Sequence, residues 1–146
     1  MCVTSVPDNE EIAPTPEAAA SGLAAERTRR INRIDAMRAA GVNPYPYRFD
    51  RTHTLGEIRE QHGHLEAGNE TETRVTVAGR ILLKRDQGKL IFCTIRDRAA
   101  DIQLFISKSV VGDTEFDEIN ELDLGDWVGV TGLVMTTRTD DLSIKV

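Results

Sequence analysis

Apolar positions recur at three- and four-residue steps near the start of the chain and at every second position in its latter half. Leu23, Arg27, Ile31, Ile34 and Met37 share one helical face, with Ser21 as N-cap, Gly41 as stop and Pro44 just beyond. This spacing predicts a helix over Ser21–Ala40. Residues 1–20 mix Pro, Ala and acid without period and read as a disordered tail. Thr54 followed three residues later by Glu57 is a capping box, which predicts a short helix over 55–62. Residues 63–73 read as a polar linker.

From Arg74 the period changes to two. Residues 74–85 predict a long strand with a bend at Gly79, and residues 89–97 and 101–107 a hairpin. An acidic helix over 113–122 follows, then a second hairpin from 126–138 and 141–146 with its turn at Thr139, Asp140 and Asp141. Five strands with a helix between the third and fourth make the mainly β OB-fold barrel, whose strand 2–3 face binds oligonucleotides. The expected organisation is a tail over 1–20, a helical arm and linker over 21–73, and the barrel over 74–146.

Within the first hairpin, Ile91, Cys93, Ile95, Ile102, Leu104 and Ile106 form one uniformly apolar row that belongs in a core. The other row holds Leu90, Phe92, Gln103 and Phe105 among its polar members. Two readings of that row stand. Either Phe92 and Phe105 lie under a neighbouring segment, or they are stacking platforms for unpaired bases. In the second, Gln103 offers donor and acceptor to a base edge. Arg80, Lys84 and Arg85 on strand 1, with Lys89, Arg96 and Arg98, would then supply cations for phosphates.

Charge sharpens this picture. The 146 residues carry a formal charge of -6, which argues against an indiscriminate polyanion binder. Net positive charge sits in two blocks, the helix containing Arg27, Arg29, Arg30, Arg33 and Arg38, and the strands from Arg74 to Arg98. The basic helix reads either as a solvated face on a docking helix or as a contributor to phosphate contacts. Cys2 and Cys93 form no disulfide framework, and reduced thiols in a cytoplasmic protein are the expectation. His53, His62 and His64 lack a metal-ligand cluster, the acids of 113–126 read as a solvated helix face, and Trp127 reads as a packing residue at a strand start. Phosphate-loop, G-x-S-x-G and GxGxxG motifs are absent, as is any membrane-length apolar run.

Residues 74–106, together with "LDLGDWVGVTGLVMTTRTDDLSIKV", resemble the N-terminal anticodon-binding OB domain of class II lysyl-tRNA synthetases. "RINRIDAMRAAGVNPYPYRFDRTHT" resembles the arm leading into it. The resemblance implies that Phe92 stacks the central anticodon base, a uridine, that Gln103 reads it, and that Arg85 supports it. Asp141 then lies near an outer anticodon base, although Asp140 stands where the family often has Gly. The implied partner is the lysine tRNA anticodon stem-loop, with a homodimer formed through the parent synthetase and no membrane. ATP and Mg2+ would serve a catalytic domain whose motifs are missing, so this polypeptide is not expected to activate lysine itself. The alternatives are a stand-alone single-strand nucleic-acid binder, a fragment of an enzyme that lysylates membrane lipid, and a domain that only docks a partner.

Overall fold

The computed structural model describes residues 16–146. They fall into two compact units that divide between Tyr47 and Arg48. The first contains helix α1, Pro16–Ala39. It begins five residues before the expected Ser21, because proline is tolerated in a first turn and the alanines after it are the best helix formers. The rest of the expected tail, residues 1–15, lies outside the described residues. Glu26 accepts two hydrogen bonds from Arg29 and one from Arg30, and these two partners bring its carboxyl down to about 2. The helix is therefore less free a cation source than its arginine count suggests.

The second unit, Arg48–Val146, holds α2 (Leu55–His62), β1 (Glu70–Asp86), β2 (Leu90–Arg96), β3 (Asp101–Ser107), α3 (Lys108–Val111), α4 (Asp113–Asn120), β4 (Trp127–Thr136) and β5 (Leu142–Lys145). The strands close into a barrel in the order β1-β2-β3-β5-β4, with only β3 and β5 parallel. This is the OB-fold expected from the strand order. Strand β1 starts four residues earlier than Arg74, and the turn α3 precedes the expected acidic helix. Alternation places Val75, Val77, Ile91, Cys93, Ile95, Ile102, Leu104, Ile106 and Ile144 inside. Leu55 and Ile58 of α2 and Phe116 of α4 join the same core. Burial pushes the Cys93 thiol up, opposed weakly by Lys84.

Two local devices set the geometry of the outer face. The first is a bulge in β1: Ile81 pairs with Ile95 and Leu83 with Thr94, leaving Leu82 as an extra residue. Unbroken alternation from Ile81 would turn Lys84 outward and Arg85 inward. The bulge reverses them, so Lys84 pairs with buried Cys93 and Arg85 with Phe92. The second is Asp97, whose side chain is 5% exposed. Its Oδ2 accepts from the Leu55 N–H at the start of α2, and its Oδ1 accepts from Ala99 and Ala100 in the β2–β3 turn. The capping box is present as expected, with Glu57 accepting from the Thr54 N–H and donating its own N–H to Thr54 Oγ1.

Candidate nucleic-acid interface

The outer row of the first hairpin forms pairs across the ladder. Phe92 lies opposite Phe105, Thr94 opposite Gln103, and Arg96 opposite Asp101. The Phe92 and Phe105 rings meet edge to face, with centroids 5.3 Å apart and planes at 78°. That arrangement suits the quadrupoles of both rings and fixes Phe92 in place. The Arg85 guanidinium carbon sits 5.8 Å from the Phe92 centroid, within cation–π range. Neither phenylalanine is fully buried, and both line an open groove of about 270 Å³ with Arg85, Gln103 and Asp141. Within this unit the rings form a surface rather than covered core.

Gln103 is oriented rather than loose. Its Nε2 donates to Ser143 Oγ at 3.2 Å, and Ser143 Oγ donates to the Asp141 carbonyl at 3.0 Å. One N–H and the amide carbonyl of Gln103 remain for a base edge. A uracil edge presents a donor beside an acceptor, which such an amide complements. Ser143 is fully buried, and sequence alternation gave no reason to single it out.

Of the eight residues expected at the site, five converge on the groove: Arg85, Phe92, Gln103, Phe105 and Asp141. The other three are elsewhere. The Lys84 ammonium donates to the carbonyls of Asn120, the last residue of α4, at 2.6 Å and of Leu122, just past it, at 2.8 Å. It neutralises a helix C-terminus, and the bulge is the reason. Arg80 lies at the other end of the outer face, opposite Arg96, with its Nε donating to the Gly125 carbonyl at 3.0 Å. Lys89 is exposed in the β1–β2 turn, outside the groove lining.

Sequence reading missed the wall supplied by the β4–β5 loop, where Thr137, Arg138 and Thr139 line the groove. Thr139 Oγ1 donates to Asp141 Oδ2 at 3.0 Å, and the Asp141 N–H donates to Thr137 Oγ1 at 3.1 Å. The turn closes because Asp140 adopts φ 65, the left-handed conformation that a glycine would take without strain. A second recess of about 360 Å³ shares Gln103 and Asp141 and extends to Arg59 and His62. Burial, then the neighbouring His64 and His53, hold His62 below its ordinary value. Among the described residues no group of His, Cys, Asp and Glu is placed to hold a metal ion. No helix among them is long and apolar enough to cross a membrane.

A closed five-stranded barrel carrying aromatic, amide and cationic side chains on its strand 2–3 face has the architecture of a nucleic-acid reader. Residues 75–146 match the family model described as OB-fold nucleic acid binding domain, of the tRNA anticodon type. This region is such an OB-fold anticodon-binding domain. The relatives it is similar to include lysine–tRNA ligases. The chain is 41% identical over 118 residues to that of Enterococcus faecalis, an alignment covering 80% of this chain and 24% of the relative. It is 41% identical over 120 residues to that of Fervidobacterium nodosum, covering 82% and 23%. To the chloroplastic/mitochondrial lysine–tRNA ligase of Arabidopsis thaliana it is 33% identical over 124 residues, covering 82% and 21%. The chain thus spans about a quarter of the length of these relatives.

Proposed function

We propose that the Arg48–Val146 unit binds the anticodon stem-loop of lysine tRNA for a ligase that charges that tRNA. The single observation that carries this reading is the pairing of a braced aromatic, Phe92, with an oriented amide, Gln103, in one groove. The central anticodon base, a uridine, stacks on Phe92, and Gln103 meets its edge. Arg85 and Arg138 line the same groove and attract the phosphates on either side. ATP, Mg2+ and dimer contacts belong to the remainder of such a ligase, working in the cytoplasm.

The test is a titration, at fixed salt, of hairpin RNAs carrying the lysine anticodon or a scrambled loop. The lysine loop should bind more tightly, and Phe92→Ala should weaken it by about 1–3 kcal/mol. Equal affinity for both loops would instead make the domain a general single-strand binder. No binding of either by folded protein would leave only a docking role.

A further inference from the structure

The groove occupies one end of the outer face, and the opposite end carries a second aromatic that the anticodon reading does not use. Trp127 is 70% exposed. It lies opposite Arg80 on β1, Arg80 lies opposite Arg96 on β2, and Arg96 opposite Asp101 on β3. Side chains directly opposite in a ladder share one face, with Cβ atoms about 5 Å apart. Trp127, Arg80 and Arg96 therefore make a transverse row, an exposed indole followed by two guanidiniums. Arg80 is held there by its bond to the Gly125 carbonyl, and Arg96 by paired bonds from Nε and Nη2 to the Asp101 carboxylate. Leu124, 56% exposed, and Arg98 in the β2–β3 turn border the same end of the barrel.

This row lies on the face that bears Phe92. Phe92, Thr94 and Arg96 alternate with buried Ile91, Cys93 and Ile95 along β2. Four residues of strand separate Phe92 from Arg96, or about 13 Å. Trp127 lies two strands further across, about 10 Å to the side, so it stands roughly 16 Å from Phe92. A base on Trp127 would then fall outside a triplet centred on Phe92.

We infer that Trp127, with Arg80 and Arg96, is a second RNA contact that stacks a nucleotide flanking the anticodon and holds its phosphate. The inference rests on the anticodon reading at Phe92. The favoured occupant is RNA because the exposed aromatic is flanked by guanidiniums and its row continues the face of the groove. A bare apolar patch would point to protein instead.

Trp127 is the only tryptophan in the chain, so its fluorescence reports on this contact directly. The full 146-residue protein would be titrated with a fluorescein-labelled lysine-anticodon hairpin, with anisotropy followed as an independent measure of binding. At saturation Trp127 emission should be quenched. A hairpin with abasic nucleotides outside the triplet should bind without the full quench. Trp127→Ala should weaken the intact hairpin about five-fold or more, and Trp127→Phe should restore most of that loss. Phe92→Ala should lower affinity yet keep the quench at saturation. Saturated binding with unchanged emission and wild-type affinity for Trp127→Ala would overturn the inference, leave the anticodon reading intact and assign the Trp127 face to a protein partner. Failure of the unmodified protein to bind the hairpin would overturn both.

Discussion

Gln103, the residue proposed to read a base, depends on neighbours that face no base themselves. Its amide is turned by Ser143, a buried hydroxyl on the parallel strand, which is in turn tied to the Asp141 carbonyl. Alternation pointed to Phe92 and Gln103 by leaving them on a face that should be wet, whereas Arg85 entered as one of the strand 1 cations and through the family resemblance. Nothing in the sequence distinguished Ser143, a small residue buried on the Gln103 face of a four-residue strand whose core residue is Ile144. Asp140 was visible as a departure from glycine, and the backbone absorbs it at φ 65. Aspartate tolerates that region, whereas a β-branched side chain does not. Asp140→Val should therefore lower stability by about 1–2 kcal/mol in urea unfolding, while Asp140→Gly should not lower it. Equal losses for the two would mean that the side chain, not the backbone angle, matters at this turn.

At the scale of elements, the β1 bulge decides which cation belongs to which task. One extra residue, Leu82, sends Lys84 to the end of α4 and Arg85 to the Phe92 ring. A bulge leaves no period-two signature, which is why Lys84 and Arg85 looked equivalent in the sequence. Lys84→Met should cost about 1 kcal/mol of stability and leave hairpin affinity within about two-fold. A comparable loss of RNA binding, with a shallower salt dependence, would return Lys84 to the interface.

Asp97 joins two further elements. Desolvation raises its pKa, but the N–H groups of Leu55, Ala100 and Ala99 outweigh that and hold it below the ordinary carboxylate value, helped by Arg51. A depressed folded value contributes stability that is fully present above the unfolded value, about 3.9. That stability is lost as pH falls from there through the folded value. Asp97→Ala should destabilise the barrel by about 1–3 kcal/mol at pH 7, and the difference from the unmodified protein should shrink below about pH 4. A difference that stays constant to pH 3 would contradict the ionised tie.

For the molecule as a whole, the order of strands and one helix was enough to define the barrel, because few topologies place a helix between strands 3 and 4 of five. The register of β3 against β5, and the approach of the β4–β5 loop to the β2–β3 face, were not readable. They depend on contacts between segments some 40 residues apart, as in the bond from Gln103 to Ser143. That is why Arg138, Thr137 and Thr139 went unnoticed while the platform they flank did not. An acidic chain thereby presents a local cationic and aromatic face, and on the proposed function selectivity would follow from that face rather than from net charge.

The central claim is that Gln103 reads the base stacked on Phe92. The most direct measurement is a double-mutant cycle between Gln103→Ala and replacement of the central anticodon uridine by cytidine in the hairpin, with affinities taken at one salt concentration. The unmodified protein should prefer uridine, and Gln103→Ala should remove most of that preference while binding the cytidine hairpin almost as before. An unchanged preference in Gln103→Ala, with both hairpins weakened equally, would contradict the account.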